Sequence, residues 1–143
     1  MRVLFDTNVV LDVLLDRHPW VADSKALWVA NDNATIEGWM TASSMTDLFY
    51  IIRKHSGTER AVSSVSVCLD AFEICSVDKA KLSAAAAMET RDFEDNLQIV
   101  CAEQNQLDAI VSRDKAGFVK SSIAVLTPSE LLARLNTQQN QQQ

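Results

Sequence analysis

Apolar positions along this chain follow two patterns: short unbroken runs, and longer stretches in which they recur every third or fourth residue. Runs of the first kind, bounded by turn formers, predict buried strands, and the second pattern predicts amphipathic helices. Arg2–Phe5 is the first run and reads as a strand; Asn8 then offers a cap to a helix carrying Val9, Val10, Val13 and Leu14 on one side. A second helix starts near Pro19, turns Val21, Leu27 and Trp28 inward, and stops at the turn cluster Asn31-Asp32-Asn33. Glu37–Thr41 predicts a second strand, weakened by Gly38. Ser43 and Ser44 offer N-caps to a helix through Leu48, Phe49, Ile51 and Ile52, which stops near Gly57. Thr58–Leu69 predicts another helix, with a strand as the alternative because of Val62, Val65 and Val67.

Phe72–Val77 predicts a strand, Asp78–Met88 an alanine-rich helix, and Asp92–Gln104 an amphipathic helix with Leu97, Val100 and Cys101 inward. Two more strands are expected at Ala109–Ser112 and Ile123–Leu126. Thr127-Pro128-Ser129-Glu130 then combines an N-cap, a proline at the first helical position and a capping-box acid, opening a helix expected to end by about Leu135. Asn136–Gln143 is a Gln/Asn tail with nothing to bury, and disorder is the expectation there. Strands alternating with helices give one α/β domain over residues 1–135, with a mainly parallel sheet flanked by helices.

Composition narrows the class. At 143 residues and 48% hydrophobic, the chain suits a single domain with a real core. Cys68, Cys75 and Cys101 are odd in number, lie among apolar residues and show no paired metal spacing, so they read as buried reduced thiols. No apolar run approaches the roughly 20 residues that span a bilayer. The chain enters Val3-Leu4-Phe5 at once, which leaves no room for a signal peptide, and a cytoplasmic protein is expected. The net charge of −6 is the wrong sign for a simple nucleic-acid binder. Either it is ordinary acidic solubility, or some aspartates converge where cations sit.

Position along the chain separates the two. Ligands of a parallel α/β sheet bind beyond the carboxyl ends of the strands. Asp6 directly follows the first strand and Asp114 follows Ser112 at the end of a later one. Asp92 and Asp95 stand three apart at a helix start, and Asp47 falls in the first turn of the helix after the second strand. Five carboxylates from four segments thus meet at one rim, a donor set for a hard divalent cation. Each has a plainer role as well: Asp47 as capping-box partner of Ser44, Asp92 as N-cap with Glu94 and Asp95 answering the helix dipole, Asp114 in a surface turn. Asp6 is the exception, because a carboxylate against an apolar strand is costly unless paired or liganded.

The segments Val3-Leu4-Phe5-Asp6-Thr7-Asn8, Asp92-Phe93-Glu94-Asp95-Asn96-Leu97-Gln98 with Ala102, and Ile110-Val111-Ser112-Arg113-Asp114-Lys115 with Phe118 resemble the PIN-domain family in order and spacing. The resemblance covers nearly the whole chain up to the Gln-rich tail. It implies a metal-dependent endoribonuclease similar to VapC-type toxins, using Mg²⁺ or Mn²⁺, with an RNA substrate, a small antitoxin partner and a homodimeric state. By position, Asp6 carries over as central metal ligand, Asp95 as the acid of the later helix with Asp92 as its auxiliary, and Asp114 as the acid after the fourth strand. Asn8 follows the first acid as in the family, and Ser112 takes the place of a hydroxyl that orients an aspartate or water. Asp47 stands where the family has glutamate, a side chain longer by one methylene.

Arg91, Arg113 and Lys115 flank the rim and are candidates for RNA phosphates, against the alternative of a solvated face. His18 and His55 lie away from the acidic motifs and read as surface residues. Trp20 and Trp28 at helical spacing suit core or dimer packing, and Asp12 and Asp16 suit a solvent-facing stripe. A dehalogenase-type phosphatase requires a second aspartate where Asn8 stands, and the order of acids fits a phospho-receiver poorly. The serious rival is a PIN fold kept as an RNA-binding or protein-interaction module without cleavage.

Overall fold

Val3, Leu4 and Phe5 are all shut off from solvent, as a strand with neighbours on both sides and helices over both faces requires. In the computed structural model, which describes residues 1–143, this strand β1 (Arg2–Phe5) is the centre of a five-stranded sheet. The chain continues through α1 (Thr7–Leu14), α2 (Val21–Asp32), β2 (Glu37–Thr41), α3 (Ala42–Ser56), α4 (Thr58–Ala71) and β3 (Glu73–Cys75). Then come α5 (Lys79–Ala87), α6 (Phe93–Gln104), β4 (Ala109–Val111), a 3-10 turn (Lys115–Phe118), β5 (Ala124–Leu126) and α7 (Pro128–Gln141).

Every strand pair is parallel and the order is β3-β2-β1-β4-β5. Winding runs outward from β1 to β3, then resumes on the opposite side at β4, so the order reverses between β1 and β4. That crevice is where ligands of open α/β sheets bind. Leu4 opposes Ile110 and Phe5 opposes Val111, and the ladder runs one step further with the Asp6 amide donating to the Val111 carbonyl at 3.0 Å. The period of two divides the core. Val3, Phe5, Ala109 and Val111 join the large cluster with α1, α2, α3, α4 and α7, while Leu4 and Ile110 join Ile99, Ala102 and Phe118 on the α6 side.

Several expectations change in their detail. The N-cap of α3 is Thr41, whose hydroxyl accepts from the Ser44 amide, so Ser43 and Ser44 lie inside the helix and Asp47 falls in its second turn. Likewise the cap position of α1 is Asp6, one place before Thr7, and Asn8 is already helical. α4 is a helix throughout, with Ala61, Ser64 and Cys68 buried at helical spacing. Gly38 does not break β2: a side chain there would lie 2.8 Å from the Phe72 ring, which itself packs on Phe5 and Trp28. The last helix runs past Leu135 to Gln141, because glutamine is a good helix former and no breaker intervenes; residues 136–143 are nonetheless all exposed. Its capping box and first-turn proline are as the sequence indicated.

Asp12 corrects the reading of a solvent-facing stripe. Its side chain is 0% exposed and sits between two guanidinium groups, Arg113 Nε at 3.0 Å and Arg17 Nη1 at 3.6 Å. The Arg113 contact is out of line for a hydrogen bond, so the attraction is chiefly Coulombic. Burial raises the Asp12 pKa, and the two arginines oppose that rise. Arg113 also lies 3.9 Å over the Trp20 ring, which is 41% exposed and so is neither core nor simple surface. This clamp ties α1 to the loop between Ser112 and Asp114. Asp12→Ala should therefore cost about 2 kcal/mol in urea unfolding, below the 3–5 of a fully buried pair because both arginines reach solvent. A loss under ~0.5 kcal/mol would show that the clamp contributes only position.

Candidate active site

The chain emerges from β1 into α1 with no residue to spare, so Asp6 cannot leave the sheet edge. The residue is 8% exposed. Ser112, at the equivalent point beyond β4, donates from Oγ to Asp6 Oδ2 at 2.8 Å. Gln98 donates from Nε2 to Oδ1 at 3.2 Å, reaching in from the buried face of α6. The amides of Thr7 and Asn8 also favour the ionised form, yet desolvation is the larger effect and leaves the Asp6 pKa raised. Ser112 thus orients an aspartate, while its own oxygen accepts from the Asp114 amide at 3.2 Å.

An open cleft of about 450 Å³ lies over this edge, and half of its 12 lining residues are acids. They are Asp6, Asp47, Asp92, Glu94, Asp95 and Asp114, so all five aspartates singled out in the sequence line one cleft, together with Asn8. Asp92 is also the N-cap of α6, accepting from the Asp95 amide at 3.1 Å, and Asp114 caps the 3-10 turn by accepting from the Ala116 amide. The plain role and the site role therefore coexist. Upstream of α6 the chain is held by Asn96, which donates to the carbonyls of Ala85 and Met88 and accepts from Thr90.

Nothing in the sequence singled out Glu94 beyond the helix dipole, and Gln98 had no role beyond the motif. Glu94 lies beside Asp47 in the cleft, with Thr7 Oγ1 at 3.1 Å from its Oε1 and the same hydroxyl 2.8 Å from Ser44 Oγ. Burial, then Asp47, pushes its pKa up to about 7. Asp95 is likewise pushed up to about 7, first by burial and then by Asp92, Asp6 and Asp114. These are like charges crowded into a half-buried space.

Two of the three proposed phosphate contacts are occupied otherwise. Arg113 is clamped by Asp12 and Trp20, and Lys115 pairs with Glu130 at 3.1 Å. The spacing placed both beside the acidic motifs, but adjacency along the chain did not reveal their partners, buried Asp12 for Arg113 and exposed Glu130 for Lys115. Arg91 is exposed and makes no ion pair.

A sequence model of the PIN domain matches residues 2–116. The chain belongs to the PIN-domain family. Among solved structures, this PIN domain resembles VapBC2 from Rickettsia felis, solved with a fragment of promoter DNA, at TM-score 0.68 and 13% identity, covering 89% of this chain and 98% of that one. VapC20 of Mycobacterium tuberculosis, a toxin that cleaves the sarcin–ricin loop, matches at TM-score 0.68 and 10% identity over 82% and 94% of the two chains. FitAcB from Neisseria gonorrhoeae matches at 0.67 and 17% over 89% and 98%. No curated protein is similar enough in sequence to match. At such identities the likeness is one of fold, and the α/β architecture with its central parallel sheet is that of these PIN domains.

The crowding of acids has a measurable consequence in the metal-free PIN domain. The folded pKa values of Asp95 and Glu94, about 7, exceed their unfolded values, so their contribution to stability is full below the unfolded pKa and is lost as pH rises through about 7. The melting temperature in EDTA should fall between pH ~4.5 and ~7.5, a window set by those two pKa values. Asp95→Asn should flatten the fall and melt several degrees above wild type at the upper end. An unchanged pH profile would show that the carboxylates do not repel.

Proposed function

We propose that this PIN domain is a divalent-metal-dependent endoribonuclease that cleaves RNA phosphodiester bonds as the toxin of a toxin–antitoxin pair. The observation that carries it is the single cleft at the β1/β4 reversal, to which β1, α3, α6 and the loop after β4 each bring a carboxylate. Membership of the PIN family supports the nuclease class, and the occurrence of similar folds in VapBC and FitAB complexes supports a small antitoxin as partner.

The donor set fits Mg²⁺ or Mn²⁺. All its ligating atoms are carboxylate oxygens, with no histidine or cysteine among the lining residues. As the side chains stand, no three of them come together closely enough to hold an ion. That openness accords with a cation that takes one or two carboxylates and keeps its remaining positions for water and phosphate. It is also what a binding module without cleavage would show. Asp6, Asp95 and Asp114, with Asp92 as auxiliary, are the residues that would hold the ion. A bound divalent cation supplies charge neutralisation at the phosphoryl oxygens and a more acidic water. Ser112 and Gln98 keep the Asp6 carboxylate in one orientation. Asp47 and Glu94 stand side by side in the same cleft, where a carboxyl of pKa near 7 is able to hold or release a proton at Oε of Glu94. Arg91 remains to meet a phosphate at the rim, and a cytoplasmic location suits an RNA target.

With Mg²⁺ or Mn²⁺ and a broad panel of structured and single-stranded RNAs, the purified protein should cut internally, and EDTA should abolish cutting. Asp6→Asn and Asp95→Asn should each lower the rate by roughly a hundredfold or more, the scale of losing one electrostatic element of a hydrolytic site. Asp47→Ala should cost less, Asp47→Glu should preserve or raise the rate, and Ser112→Ala should fall between. Metal binding without cleavage of any RNA, with Asp6→Asn equal to wild type, would leave the binding module as the function. We also infer a homodimer from the apolar side chains exposed on α4, Val62, Val67 and Leu69. Light scattering at tens of micromolar should give twice the chain mass; a monomer mass sinks that inference.

A further inference from the structure

Asp6 and Asp95 are held in different ways. Asp6 accepts hydrogen bonds from Ser112 and Gln98 on its two oxygens. The Asp95 carboxylate has no hydrogen-bond donor within the chain; only its amide is engaged, donating to Asp92. Something else must fix its rotamer.

The contact is with Gly117. A β-carbon built on Gly117 would stand 2.0 Å from Asp95 Oδ2, 3.0 Å from its Cγ and 3.6 Å from its Cβ, and those are the three nearest atoms. Carbon and oxygen do not approach to 2.0 Å without bonding, so the Asp95 carboxylate occupies the space that any side chain at 117 would fill. The backbone gives no other reason for glycine here. Gly57 is the one glycine with positive φ, at 91°, whereas Gly117 has a conformation open to any L residue.

We propose that Gly117 is a positioning residue, whose bare α-carbon is the seat on which the Asp95 carboxylate rests facing the cleft. This rests on the cleft being a divalent-cation site. The seat itself is firm: Phe118 is buried with Leu4, Ile99, Ala102 and Ile110, and Asp114 binds the Ala116 amide at 3.1 Å. The Asp95 side chain is half-buried and turns about χ1. A methyl group at 117 therefore displaces the carboxylate and leaves the fold in place.

Gly117→Ala in the full chain tests this. The metal-free variant should melt within a few degrees of wild type, with altered side-chain couplings at Asp95 by NMR that report a changed χ1. Its Mn²⁺ affinity by calorimetry should weaken about tenfold or more, as when a group that orients a ligand is disturbed. In an Asp95→Ala background the same substitution should cost nothing further, because the atoms it strikes are gone. Unchanged Asp95 couplings in a protein that binds Mn²⁺ overturn the role of Gly117 alone, as does an equal loss of affinity in the Asp95→Ala background. A collapse of the melting temperature overturns it too, since the turn would then be what gave way. Wild type that takes up no Mn²⁺ overturns the cation site, while the couplings still decide whether Gly117 seats Asp95.

Discussion

A carboxylate buried at the end of a central strand is the constraint around which this structure is arranged. Left without partners, the Asp6 charge would be too costly to keep at a site 8% exposed. Its partners come from three places: the hydroxyl of Ser112 beyond β4, the amide of Gln98 on α6, and the first amides of α1. Satisfying one charge therefore fixes the register of β1 against β4, the depth of α6 and the immediate turn into α1. The parallel pairing of Phe5 with Val111 is what brings Ser112 within 2.8 Å of Asp6. Had β4 run antiparallel, Ser112 would lie at the other edge and Asp6 would have no such donor.

Part of the fold was legible because β1 is a nearly unbroken apolar run with clear ends, whereas β3 is only Glu73–Cys75, inside the Phe72–Val77 that the sequence indicates. β1 and β2 have the bounds the sequence indicates, and α7 opens on its capping box. Helix starts were less legible wherever several hydroxyls follow one another. Thr41, Ser43 and Ser44 all suit a cap, and only the packing decides: Ser44 is drawn inward towards Thr7 and Thr41, which leaves Thr41 at the boundary. The common cleft of the five aspartates was also legible, since strand ends and helix starts fix location. What spacing does not fix is the direction in which a long side chain turns. Arg113 and Lys115 look free in sequence but turn to Asp12 and Glu130, and Asp12 lies on the inner face of α1 where a stripe of i, i+4 acids suggested solvent. Glu94 was obscured by its position: an acid in the first turn of a helix already has an explanation in the dipole.

The cleft holds its acids by unequal means, and the difference bears on what each is able to do. Asp6 is bound on both oxygens, so its orientation is set before any ligand arrives. Asp95 accepts no hydrogen bond, and burial, followed by the charges of Asp92, Asp6 and Asp114, raises its pKa to about 7. One carboxylate is thus a fixed reference and the other a group whose charge depends on what neutralises its neighbours. A cation brought among them would lower the cost of ionising Asp95 while leaving Asp6 where the protein already holds it. Binding and ionisation would then be linked, and uptake of such a cation near neutral pH would be accompanied by proton release.

The same inventory of charge limits how a polyanion reaches the site. The chain carries a net charge of −6, and six acids line the cleft. Two of the cations nearest to it, Arg113 and Lys115, are committed to internal partners. An RNA phosphate approaching the bare cleft meets like charge at distances shorter than the Debye length of about 8 Å at physiological salt, where screening gives little relief. Under the nuclease reading, therefore, substrate affinity has to come from the cation itself and from the rim beyond it, where Arg91 is free and Arg53 lies 5.0 Å over the exposed Tyr50 ring. On that reading the order of assembly would follow from electrostatics: the ion would precede the phosphate, because the acidic chain would attract RNA only once its own repulsion had been neutralised.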